Sequence, residues 1–96
     1  MKITHKILTY DEVTCLHGTI QTFGHTFTFN VYYIDGLLID TGPACARKIV
    51  LAFANQMKPT QIILTHHHED HAGNARFLSK HLNIPVKMNE QTLEIL

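Results

Sequence analysis

The stretch Leu64–Asn74, LTHHHEDHAGN, packs four of the chain's eight histidines and two adjacent carboxylates into eleven residues. Neutral imidazole and carboxylate together suit zinc and are also open to iron or manganese. In extended backbone, positions i and i+2 project to the same side, so His66 and His68 can grip one ion while His67 points elsewhere. Where the chain turns into a helix, Asp70 and His71 are presented beside that ion and can hold a second. A solvated loop or an affinity-tag remnant would also be rich in histidine. A tag, however, is terminal and featureless, whereas this run lies between a predicted strand and a predicted helix.

Those flanking elements follow from periodicity. Residues 2–8 and 12–20 read as strands with poor alternation. Residues 25–36, HTFTFNVYYIDG, alternate clearly, with Phe27, Phe29, Val31 and Tyr33 on one face and Thr26, Thr28, Asn30 and Tyr32 on the other. Asp35-Gly36 is a hairpin dipeptide, favoured where both central positions need positive φ, and LLID (37–40) follows as a short buried strand. After the Thr41-Gly42-Pro43 turn, a helix carries Ala46, Ile49, Val50, Phe53 and Met57 inward and Arg47, Lys48 and Asn55 outward, and Pro59 stops it. QIIL (61–64) is a strand whose end delivers the histidines. A second helix runs from about His71 to Leu82 with Ala75, Leu78 and Leu82 inward; residues 85–88 form a strand, and Asn89 caps a last helix. A meander followed by alternating helix and strand is an α/β (α+β) order. With no repeat, low-complexity tract or linker, residues 1–96 form one unit.

Composition narrows the function classes. The 96 residues carry eight basic and eight acidic side chains, so no basic field argues for nucleic acid. The start has no sustained apolar run or cleavage site, and no segment is long enough to span a bilayer, so a cytoplasmic protein is expected, with no membrane partner. Cys15 and Cys45 form no Cys-x-x-Cys pair and read as two buried thiols in a reducing compartment.

The run Thr65-His66-x-His68-x-Asp70-His71-x-Gly73-Asn74 resembles the T-H-x-H-x-D-H-x-G-N signature of the metallo-β-lactamase superfamily. The likeness extends beyond the motif: a leading meander, GLLIDTG ahead of a helix, and a strand running into the histidines resemble the N-terminal half of that αββα sandwich over essentially the whole chain. The resemblance implies His66 and His68 on a first metal, Asp70 and His71 on a second, Asp40 as a supporting acid beside the site, and Gly73 and Asn74 in a turn that shapes the helix start. It implies one or two zinc ions, with iron or manganese as alternatives, and a metal-activated hydroxide attacking a thioester, lactone or other ester-type bond of a small molecule. Asp70 would both ligate the metal and orient that nucleophile.

Full-length members of the family take further ligands, a third histidine, a bridging aspartate and a final histidine, from downstream segments absent from these 96 residues. Each metal is left with two protein ligands here, fewer than the three usual at catalytic zinc. His5, His17, His25 and His81 read as ordinary surface or satisfied histidines, and His67 and Glu69 occupy variable positions of the motif. The last residues, EQTLEIL, carry no helix stop, as at some natural C-termini and in a chain cut short. The face bearing Phe27, Phe29, Val31 and Tyr33 is expected to meet the missing half of the sandwich. That cover would come from the rest of a longer hydrolase, from a separate C-terminal half, or from a homo-oligomer. The alternative to a hydrolase is a catalytically silent metal-binding or assembly module that needs a second half or a partner chain.

Overall fold

The structure is a computed structural model that describes residues 1–65 and 73–88. Six strands form one sheet in chain order: β1 (Lys2–Tyr10), β2 (Val13–Thr22), β3 (His25–Ile34), β4 (Leu37–Ile39), β5 (Gln61–Leu64) and β6 (Val86–Met88). The first four are antiparallel, and β4, β5 and β6 are parallel. Two helices, α1 (Arg47–Met57) and α2 (Ala75–Leu82), lie in the crossovers between the parallel strands. Right-handed crossovers that step in one direction across a sheet put their helices on one face.

Tight turns explain the meander. Asp35 and Gly36 both take positive φ, as the sequence predicts, and so do Phe23 and Gly24 in the β2–β3 turn. Such turns twist with the strands they join. The α1 helix ends at Met57, where Lys58 adopts a left-handed conformation and donates its N–H to the Ala54 carbonyl at 2.8 Å, just ahead of Pro59.

One face of the sheet makes the core. Leu16, Ile20, Phe29, Val31, Leu38, Ile62 and Leu64 are buried under Val50, Phe53 and Ala54 of α1 and Ala75 and Leu78 of α2. Burying a side chain of this size contributes about 1.5–3 kcal/mol. Gly18 is required here: it pairs with Phe29 across β2 and β3, and a Cβ at that position would run into the Phe29 ring.

Two expectations are corrected. The β3 face bearing Phe29 and Val31 does not await a second sheet, because α1 covers it; Phe27, farther along the same face, stays about half exposed. Alternation reveals that a strand has an inner face, and the direction of the crossovers decides what lies on it. Among the described residues no helix lies on the opposite face. On it an apolar row, Leu8, Cys15, Tyr32, Ile39 and Ile63, crosses five strands, followed by the polar rows Lys6, His17, Asn30 and Thr4, Thr19, Thr28. The second correction concerns the thiols: Cys15 is buried, but Cys45 is exposed. Cys45 lies in a 3₁₀ turn, Ala44–Ala46, whose inward residue is Ala46.

Candidate metal centre

β4 hands the chain to a turn whose first residue, Asp40, sits in the left-handed region at φ 65°. Aspartate tolerates this conformation better than most residues. Its N–H donates to the Ile63 carbonyl of β5 at 2.8 Å, extending the parallel ladder by one bond. The carboxylate is thereby aimed along the end of β5, where it is almost fully buried. Thr65 donates its N–H to Asp40 Oδ1 at 2.9 Å, and its hydroxyl lies 3.0 Å from Oδ1 and 2.8 Å from Oδ2. A buried carboxylate needs such donors. Thr65 is the residue immediately before His66.

The same turn receives the chain again at Asn74, which is fully buried. Its side-chain amide donates to the Thr41 carbonyl at 2.8 Å and the Pro43 carbonyl at 2.9 Å, and its main-chain N–H donates to Thr41 Oγ1 at 3.2 Å. Asn74 is the N-cap residue of α2, yet its side chain makes no capping bond. The side-chain oxygen, which would normally serve the helix, instead accepts from Arg47 Nε at 3.1 Å. Gly42 shapes this turn at φ 69°, with a Cβ there only 3.2 Å from both Phe29 and Val50.

His66, His68, Asp70 and His71, the expected ligands, lie outside the described residues, as do His67 and Glu69. The structure places the two residues flanking that segment, Thr65 and Asn74, on a single four-residue turn, Asp40–Pro43. Of the two residues expected to support the site, Asp40 bonds the backbone that leads into the motif and Asn74, on the backbone that leads out of it, bonds the turn. The expected helix start near His71 is described only from Ala75 onward. Among the described residues no group of three or more His, Cys, Asp or Glu side chains is placed to share an ion. His5, His25 and His81 are exposed, and His17, half-buried, makes a 2.7 Å hydrogen bond with Asn30 Oδ1. Sequence reasoning missed Arg47. It lies 27 positions from Asn74, and only its predicted place on the outer side of α1 was legible.

Two imidazoles spaced i, i+2, followed by a carboxylate and a third imidazole, make a nitrogen and oxygen donor set that fits zinc. Among the described residues, no helix is long and apolar enough to cross a membrane.

Residues 29–96 match the family described as the metallo-beta-lactamase superfamily. A comparison with curated proteins gives no match. Among solved structures, the chain resembles a metallo-beta-lactamase from Pontibacter korlensis with a TM-score of 0.78 at 17% identity, over 96% of this chain and 46% of that one. It resembles the DIM-1 metallo-beta-lactamase with a TM-score of 0.72 at 16% identity, over 99% of this chain and 47% of that one. For the IND-7 metallo-beta-lactamase the TM-score is 0.68 at 15% identity, over 98% and 46%. The chain thus spans just under half the length of these structures, and its six-stranded α+β sheet is a half-domain of their fold. The family match, the shared fold and the turn that fastens both flanks of the histidine motif lead to one conclusion: this chain belongs to the metallo-beta-lactamase superfamily.

Proposed function

We propose that the chain provides one half of a metal-dependent hydrolase, with His66, His68, Asp70 and His71 as its metal ligands. The observation that carries this reading is the fastening of Thr65 and Asn74 to the same Asp40–Pro43 turn, which sets both ends of the ligand segment in a rigid frame. Metal sites depend on such outer contacts, because they fix the orientation of the ligands. Zinc, as one or two ions, fits the donor set best, with iron or manganese as alternatives. Bound metal supplies Lewis acidity, polarising an ester-type carbonyl and making hydroxide available near neutral pH. The Asp70 carboxylate would ligate the metal and orient the attacking water. Asp40 holds Thr65, the last described residue ahead of His66 and His68. The substrate class is a small molecule with a thioester, lactone or other ester-type bond.

The site's remaining ligands come from outside these residues, and we assign the face of the sheet opposite α1 and α2 to the second sheet of the sandwich. The apolar row Leu8, Cys15, Tyr32, Ile39 and Ile63 suits such a layer. Sedimentation of the chain alone tests this: self-association through that face, abolished by Tyr32→Lys, would instead make a second copy the partner.

The test of the metal centre is the zinc content of the purified chain after incubation with zinc at neutral pH. His68→Ala should lower it, whereas His67→Ala should not. Equal zinc in both variants and the parent removes this ligand set. Zinc binding without hydrolysis, even when the second half is supplied, would leave a catalytically silent metal-binding or assembly module.

A further inference from the structure

The side chain of Arg47 reaches the motif frame from the outer side of α1. Its Nε–H donates to Asn74 Oδ1 at 3.1 Å, and its guanidinium carbon lies 4.7 Å from the centre of the Phe77 ring, one turn along α2. Phe77 in turn stacks on His81, with centroids 5.8 Å apart and planes tilted by 16°. Guanidinium, phenyl and imidazole thus form a column along the surface of α2. A planar cation over an aromatic face is held both by electrostatic attraction and by contact.

This column fixes more than a surface. The buried amide of Asn74 has a single productive orientation: its nitrogen must face the Thr41 and Pro43 carbonyls, and its oxygen must then face away from them. Arg47 supplies the donor that the oxygen meets there. With the donor in place, the amide cannot turn over without setting its oxygen against two carbonyls and its NH₂ against a cation.

We propose that Arg47 is a positioning residue for the metal centre, acting through Asn74 to set the exit of the 66–72 segment. This inference rests on the ligand assignment above. It gives an exposed, non-ligating side chain on a different helix a role in metal affinity.

The test compares the parent chain with Arg47→Ala, Arg47→Met and Arg47→Lys. Zinc affinity is read by competition with a chromophoric chelator, and ligand geometry by the visible bands of the cobalt(II)-loaded protein. Loss of outer contacts of this kind typically lowers metal affinity about 10–100-fold. We expect Arg47→Ala and Arg47→Met to fall at the low end of that range with displaced cobalt bands, and Arg47→Lys, which keeps a donor for Asn74 Oδ1, to recover most of the loss. The methionine variant keeps the stem packed on Phe77, so it decides the matter if the alanine variant fails to fold. A parent chain that takes up no zinc overturns both the metal assignment and this inference. A parent that binds zinc while Arg47→Met binds equally tightly, with unmoved cobalt bands, overturns this inference alone.

Discussion

Asp40 and Thr65, 25 residues apart, are joined through both the main chain and the side chain of the threonine: N–H to Oδ1 at 2.9 Å, with the hydroxyl between the two carboxylate oxygens. The pair ties the end of β5 to the end of β4 at the point where the histidine motif begins.

Replacing Asp40 should therefore loosen the motif's entry as well as the fold. Asp40→Ala removes the acceptor of the Thr65 N–H and hydroxyl and leaves alanine in a left-handed conformation, a combined loss of roughly 1–3 kcal/mol. Asp40→Asn keeps one acceptor and tolerates the backbone, so about 1 kcal/mol is expected. Urea unfolding of the two variants should rank them in that order.

Asn74 offers a sharper contrast. Asn74→Ala leaves the Thr41 and Pro43 carbonyls without their amide donor, at roughly 2–4 kcal/mol. Asn74→Asp has nearly the same shape but places acceptor oxygen against those carbonyls, so at neutral pH it should be at least as destabilising. Equal stability of Asn74→Asp and the parent would show that the side chain does not bear on the turn.

The contact between Gly18 and Phe29 predicts a rescue. Gly18→Ala should destabilise by about 1–3 kcal/mol through overpacking against the ring. Adding Phe29→Leu, which opens space at the paired position, should make the double variant less unstable than the two single changes summed. Thermal or urea unfolding of the four proteins measures that coupling.

The cysteines should separate in reactivity and in pH dependence. Burial pushes the Cys15 thiol above its ordinary range, and thiolate is the reactive form. A disulfide reagent should titrate one fast thiol, Cys45, in the native protein and Cys15 only on unfolding. Between the ordinary pKa of the unfolded thiol and the raised one of the native thiol, the native state keeps the proton that the unfolded state releases. Stability from this group is thus intact below the ordinary value and falls as pH rises through that interval. Cys15→Ala should flatten this alkaline slope.

Much of this was legible in the sequence. The alternation of residues 25–36, the Asp35-Gly36 turn, the period of α1 and the strand leading into the histidines all rest on local rules, and each reappears as an element. What was not legible lies between elements. Phe29 and Val31 could be assigned to an inner face, but not to the layer of α1 rather than to a second sheet, because handedness belongs to the connection and not to the strand. Cys45 reads as apolar and therefore inside until a three-residue turn sets Ala46 inward instead. Arg47 reads as a solvated charge on a helix exterior, and its bond to Asn74 depends on how two helices lean together.

The order of the strands across the sheet is also their order along the chain. Each of the described strands lies beside the one made just before it. A topology of this kind lets structure accumulate from the amino end as the polypeptide leaves the ribosome. When Thr65 leaves the ribosome, the turn bearing Asp40 has already emerged ahead of it, so the partner that receives the start of the histidine motif is the earlier-made one.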